Sequence, residues 1–267
     1  MTERILITGA AGRIGTALRP LLARPDRVLR LLDLAPLEKG DDGAEIVTAS
    51  FADPAAMDEA CAGVDAVVHL GGLPGETSWE QIAAVNINGT QQVLEAVVRR
   101  EVPRIVLASS IHAAGFWNRD DVGLNGFLPA DTPPRPDTFY GVSKAAIEAL
   151  GSLYHSRFGI DVSCLRIGAF RPEPLAPADL AVWLSPADCA RLLEACLAAT
   201  PAAFRVLWGI SANSRRWFSL SEGTAIGYRP ADDAERFAAG IPGAAEFDPA
   251  DPVLYRVGGG FCAMPLG

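Results

Sequence analysis

Basic residues are scarce and do not cluster: 23 Lys and Arg stand against 32 Asp and Glu in 267 residues, a formal charge of −9. Polyanionic partners need grouped cations, so neither nucleic acid nor an anionic membrane surface is an expected partner. Long apolar runs are missing too. No stretch approaches the ~18 residues that a membrane span requires. The opening MTERILITGAAGRIG enters a strand pattern at once, with no apolar signal segment or cleavage site, and the expected location is cytoplasmic. Cysteine is sparse, odd in number and scattered: Cys61, Cys164, Cys189, Cys196 and Cys262 form no CxxC pair and sit mostly among apolar neighbours. That usage points to reduced, buried thiols rather than a disulfide framework or a metal site. Internal repeats and low-complexity linkers are also absent.

What is present is regular. Nearly half of the residues are apolar, enough for the core of one large domain. Apolar runs that read as strands fall near Ile5–Thr8, Val28–Leu32, Glu45–Thr48, Ala66–Leu70, Ile105–Ala108, Asp161–Arg166 and Arg205–Trp208. Helical patterns fall near Arg13–Ala23, Pro54–Ala62, Trp79–Arg100, Tyr140–Arg157 and Pro186–Ala198. Such alternation, with strands that are apolar throughout, predicts an α/β fold: a Rossmann doubly wound parallel sheet with helices on both faces. Beyond residue 167 the rhythm loosens into the Pro-rich RPEPLAPADL and a loop-rich end. The expected organisation is a dinucleotide-binding domain over 1–166 and a small substrate-binding annex over 167–267 that does not fold by itself. The Pro-rich, aromatic loop from Gly115 to Asp137 is long enough to suggest a functional role.

The first strand runs into GAAGRIG, with glycines at 9, 12 and 15. A strand, this turn and then a helix bring backbone N–H groups and a helix N-terminus against a pyrophosphate. The turn residues Gly9, Gly12, Arg13, Ile14 and Gly15 are therefore the expected cradle. Asp33 closes the second strand, where a carboxylate accepts from the ribose hydroxyls and repels a 2′-phosphate. The expected cofactor is NAD rather than NADP.

Catalytic groups should then come from later strand ends and the helices that follow. The strand RIVLASS ends in Ser109 and Ser110, and the next long helix opens with YGVSK, which sets Tyr140 and Lys144 one turn apart on one face. A free phenol titrates near ~10 and is a poor base at neutral pH. A neighbouring ammonium and an oxidised nicotinamide, both positive, favour the phenolate.

The glycine turn, Asp33, the Asn of AVNINGT, the SS pair and YGVSK, in this order, resemble the extended short-chain dehydrogenase/reductase superfamily of NAD-dependent epimerase/dehydratase type. HLGG at 69–72, SSxHxxGF at 109–116, RPDTFYGVSK, LRIG followed by PEP, and WGISANSRRW look more particularly like the bacterial uronate dehydrogenases. The resemblance implies that Tyr140 takes the proton of a substrate hydroxyl and that Lys144 holds the nicotinamide ribose and lowers the tyrosine pKa. It also implies that Ser110 bonds the same substrate oxygen and that Asn86 helps organise a proton path. It assigns Leu70, Gly71 and Gly72 to the cofactor, places Ser50 and Phe51 where the superfamily has an adenine-side aspartate, and puts Ile111, His112 and Tyr140 beside the substrate. The implied product is an aldarolactone, formed at the anomeric carbon of a cyclic sugar acid, and the superfamily habit implies a homo-oligomer.

The departures gather where substrate is expected. Ile111 stands where the resemblance implies a sugar-binding Asn, Pro74 and Ala169 where it implies serines, and Ala178 where it implies the arginine that clamps a carboxylate. Arg171 is the nearest replacement and Arg119 another. The same hydride chemistry on a less polar secondary alcohol, or a nucleotide-sugar epimerase or dehydratase, therefore remain as alternatives. The epimerase reading is weakened by the short C-terminal region, and a non-catalytic NAD-sensing protein by the Tyr–Lys pair. Trp208 and Trp217 are expected in the core.

Overall fold

The computed structural model describes residues 2–122, 126–246, 248 and 250–267. In chain order its early elements are β1 (Glu3–Thr8), α1 (Arg13–Leu22), β2 (Arg27–Asp33), β3 (Glu45–Thr48), α2 (Pro54–Cys61) and β4 (Ala66–His69). There follow α3 (Trp79–Ile82), a π-helical turn over Ala83–Asn88, α4 (Gly89–Arg99), β5 (Arg104–Ser110), α5 (Phe139–Phe158) and β6 (Asp161–Ile167). The later part adds β7 (Ala169–Phe170), α6 (Asp179–Val182), β8 (Trp183–Leu184), α7 (Pro186–Ala198) and β9 (Phe204–Gly209).

Seven strands form one sheet in the order β3-β2-β1-β4-β5-β6-β9, and every neighbouring pair is parallel. The order reverses between β1 and β4, and a doubly wound sheet opens a crevice at the carboxyl ends of its strands at such a point. Alternation along β1 sends Ile5 and Ile7 into the apolar cluster shared with Leu18, Leu22, Leu192 and Leu193 of α1 and α7. Leu6 goes into the opposite cluster with Met57, Val93 and Val97 of α2 and α4. Both faces are thus covered, which is why the strands are mostly apolar without a strict alternation.

All seven strands and both α1 and α7 lie where the sequence pattern places them, within two residues at each end. The single helix expected over Trp79–Arg100 is instead two α-helical pieces around the π turn. Its cause is local. The Asn86 side chain is drawn out to the Leu73 backbone, accepting from its N–H at 2.7 Å and donating to its carbonyl at 3.2 Å. The Thr90 hydroxyl meanwhile bonds the Asn86 carbonyl. An asparagine that bonds outside its own helix widens the turn it sits in.

α5 is held at both ends. The Thr138 hydroxyl caps Gly141 N–H, the Glu76 carboxylate accepts from Tyr140 N–H at 2.8 Å, and Gly159 closes the C-terminus at φ +73°. Part of the Gly115–Asp137 loop, residues 123–125, lies outside the described residues. Its remainder is pinned by Trp117 Nε1 donating to the Pro133 carbonyl and by Arg135 N–H donating to that of Ala113. The chain end returns to this loop, with Val257 N–H on the Trp117 carbonyl and Gly258 N–H on that of Gly115, both at 2.9 Å. Trp208 and Trp217 are buried, with Ile111 and Val257, in a third apolar cluster beneath that segment. The cysteines are free and all but Cys262 are buried. Among the described residues no helix is long and apolar enough to cross a membrane.

Candidate active site

The crevice at the switch point is a cavity of about 760 Å³ that runs from Gly9, Gly12, Arg13 and Ile14 past Asp33 and Phe51 to Tyr140 and Lys144. Gly9 stands at φ +70°, and a Cβ there would lie 2.6 Å from Gly71 N. Only glycine lets the turn between β1 and α1 pass that close to the HLGG segment. The Asp33 carboxylate accepts from Ala11 N–H at 2.9 Å and Ala35 N–H at 3.0 Å. Those two bonds leave lone pairs for the hydroxyls of a ribose. Leu70, Gly71 and Gly72 line the opposite wall, and Phe51 stands edge-on to His69 with centroids 5.1 Å apart.

Two residues expected at the cofactor stand elsewhere. Gly15 packs behind the turn against Ala10, and the Ser50 hydroxyl accepts from Ala52 N–H. Neither is among the residues that line the crevice. A helix N-terminus, a carboxylate on the second strand and a glycine-rich wall are the groups that an NAD molecule needs, so the residues present fit it.

The choice between the two serines follows from strand alternation. Both serines border the crevice, but the Ser109 hydroxyl is engaged behind it, donating to Glu148 Oε1 at 2.6 Å. There it joins a buried pair in which Arg166 meets Glu148 through Nε at 2.9 Å and Nη2 at 2.8 Å. Ser110 lines the crevice beside Tyr140, and its hydroxyl accepts from His112 N–H at 3.3 Å.

Burial pushes the Tyr140 hydroxyl up to about 12; the Ser110 hydroxyl pulls it down, and the Asp137 carboxylate raises it further. Lys144, one of two lysines in the chain, has its Nζ 5.4 Å from the Tyr140 ring centroid and donates to the Ala108 carbonyl at 2.8 Å. Burial pushes Lys144 itself down to about 8. In the protein alone burial dominates the Tyr140 shift; an ammonium at Lys144 and an oxidised nicotinamide, both positive, act in the opposite sense and favour the phenolate.

Asn86 does not line the crevice. Its amide holds Leu73 at the cavity wall and donates to Ser143 Oγ at 3.0 Å on the helix of Tyr140. His69 is likewise internal, bonded to Thr8 at 2.6 Å and Thr90 at 3.0 Å.

A second lobe of about 440 Å³ adjoins the crevice and shares Pro74, Ser110, His112 and Phe170 with it. His112 Nδ1 lies 2.7 Å from Asp137 Oδ2, and its ring stacks on Phe261 with centroids 3.9 Å apart. The Asp137 carboxyl group is closed in by Gly115 and Gly258, where a Cβ would approach its Oδ2 to 2.0 and 1.9 Å. Arg119, Arg171 and Arg256 also line the lobe, with Asp179 the one carboxylate among the lining residues described. Arg171 touches Asp179 only at 3.5 Å, and its Nε is buried with no hydrogen-bond partner. Arg119 lies over the Trp217 ring and donates to the Leu254 carbonyl. Ile111, Ala169 and Ala178 line the same lobe.

Sequence reasoning missed Glu76, Asp137, Phe261 and Arg256. Asp137 stood in plain view three residues before Tyr140. The chain end carried no periodic signal to bring it over the site.

A Rossmann crevice that ends on a Ser–Tyr–Lys group defines an NAD-linked oxidoreductase. The chain belongs to the NAD dependent epimerase/dehydratase family, whose model matches residues 5–170. It is 35% identical over 267 residues to a uronate dehydrogenase of Pseudomonas syringae pv. tomato, covering 99% of this chain and 95% of that protein. To a uronate dehydrogenase of Agrobacterium fabrum it is 38% identical over 265 residues, covering 99% and 98%. The fold matches that of a mutant uronate dehydrogenase from Agrobacterium tumefaciens complexed with NAD at a TM-score of 0.89, with 37% identity and coverage of 99% and 98%. The chain is an NAD-dependent dehydrogenase that acts on a CH–OH group.

Proposed function

We propose that this enzyme oxidises the C1 hydroxyl of a hexuronate, or of a closely related cyclic sugar acid, to an aldarolactone. The observation that carries the reading is the junction of the two cavities: Ser110 and His112 line both the crevice that holds Tyr140 and a lobe that holds Arg171 with an unpartnered Nε. In a chain of net charge −9, a concentration of arginines at one pocket marks an anion site. Arg171 takes the carboxylate there, in place of the arginine whose position Ala178 occupies.

When bound, NAD⁺ supplies the acceptor for the hydride that leaves C1. The protein's own residues do the rest. Gly9, Gly12 and Arg13 hold the pyrophosphate, Asp33 the adenosine ribose, and the two Lys144 protons not given to Ala108 hold the nicotinamide ribose. Ser110 donates to the C1 oxygen and His112 flanks it. Tyr140 removes the hydroxyl proton as the C1–H electron pair departs, so that sugar and NAD⁺ give lactone, NADH and one proton. Asn86 acts on the proton path through position, by fixing Leu73 and Ser143 around Tyr140.

The same reading has residues 167–267 supply the substrate lobe. It has the enzyme work in the cytoplasm, where its free cysteines stay reduced, as a homo-oligomer that covers the exposed Leu153 and Phe158 of α5. Light scattering of the purified protein reads the oligomeric state. For the reaction, NADH formation is followed with galacturonate, glucuronate, neutral aldoses and simple secondary alcohols. A kcat/KM for a sugar acid at least tenfold above that for the neutral sugar supports the reading. Turnover of alcohols alone overturns it.

A further inference from the structure

We infer that the sugar acid this site fits best carries hydrogen or an alkyl group where a hexuronate carries a free ring hydroxyl. The inference rests on the proposed function and concerns the lining of the second lobe. Ser110 and His112 are shared with the crevice that holds Tyr140, and Arg119, Arg171 and Arg256 belong to the lobe alone. Much of the rest of the lobe's wall is apolar: Pro74, Ile111, Ala169, Phe170, Ala178 and Val182 line it, and their side chains contain no hydrogen-bonding atom.

A pyranose acid that spans the lobe puts C1 at Tyr140 and its carboxylate at the arginines, and lays the intervening ring carbons along that wall. A hydroxyl pressed against carbon loses its water and gains no partner. The resulting loss in transition-state binding is on the order of tenfold to a hundredfold per hydroxyl. A hydrogen or methyl group at the same place makes ordinary apolar contact instead. The wall is also firm, because Ile111 belongs to the buried cluster with Trp208, Trp217 and Val257, and it will not rearrange to offer a donor.

The test compares kcat/KM of the full chain, at saturating NAD⁺, for galacturonate and glucuronate and for their 2-, 3- and 4-deoxy and O-methyl derivatives. The expected result is at least one derivative that exceeds its parent by tenfold or more. The deoxy and O-methyl series distinguish a missing hydroxyl from an alkyl-filled contact. A parent hexuronate that exceeds every derivative overturns the inference and leaves the proposed function standing. No NADH from any of the acids removes the proposed function, and the inference with it.

Two variants read the wall directly. Ala169→Ser and Ile111→Asn each add a hydrogen-bonding side chain, and each should shift the derivative-to-parent ratio toward the parent by about tenfold, with the Kd of NADH unchanged. Ala169→Ser stands at a half-buried position and serves if Ile111→Asn fails to fold. An unmoved ratio in a folded Ala169→Ser protein overturns the inference.

Discussion

Replacement of Asp137 by Asn keeps the shape of the side chain and removes its charge. The carboxyl group is fully shielded from solvent, 2.7 Å from His112 Nδ1 and 2.9 Å from the Thr138 hydroxyl. A charge-assisted hydrogen bond is worth about 1.5–3 kcal/mol and a neutral one about 1 kcal/mol, so the exchange weakens the hold on His112 by roughly 0.5–2 kcal/mol. Transmitted to the transition state, that is a fall of roughly 2- to 30-fold in kcat/KM. The same change acts on the base in the opposite sense. Asp137 raises the Tyr140 pKa, and its neutralisation lowers it. The rise of kcat/KM with pH, which reports phenolate formation, should therefore move to lower pH while the plateau drops. The assay is a pH profile of kcat/KM with a sugar acid, read beside the Kd of NADH and the urea midpoint. A folded Asp137→Asn protein with both plateau and profile unchanged refutes the placement of His112 and Asp137 at the reacting centre.

The buried pair behind the site governs stability. Glu148→Gln leaves Arg166, almost wholly buried, without its counter-charge, and should cost about 3–5 kcal/mol in urea unfolding; a loss below about 1 kcal/mol contradicts the pairing. His69 is kept neutral by burial, which pushes its pKa down to about 3, against about 6.5 in an unfolded chain. Between those values the unfolded state binds the additional proton, so stability declines as pH falls, by up to about 1.4 kcal/mol per pH unit. Urea midpoints at neutral and mildly acidic pH should converge in His69→Gln relative to the unchanged protein.

The fold was legible because each strand of a parallel sheet covered on both faces is a compact apolar run, and turn chemistry separates the runs. Gly9, Asp33, Ser110, Tyr140 and Lys144 were legible for a related reason: each sits at a strand end or helix start, where local pattern fixes position. What the sequence concealed depends on contacts between distant segments. Asn86 lay inside a helical pattern, and only the backbone of Leu73 shows why the helix opens there. Phe261 and Arg256 reach the second lobe from a chain end with no periodicity, carried there by the bonds of Val257 and Gly258 to the Gly115–Trp117 segment. The direction of the Tyr140 shift was concealed as well, since burial is a property of the packed site and not of YGVSK.

The central claim is that Tyr140 is the base of an NAD-linked oxidation. Its direct measurement is the single-turnover rate of NADH formation by Tyr140→Phe, with a turned-over sugar acid at saturating NAD⁺, beside the Kd of NADH. The phenyl ring preserves the packing against His112 and removes only the hydroxyl. Proton transfer by a positioned side chain contributes about 10²–10⁴ in rate. The account predicts a fall of that order, with NADH bound within about threefold of the unchanged enzyme. A rate within about tenfold of the unchanged enzyme would contradict it.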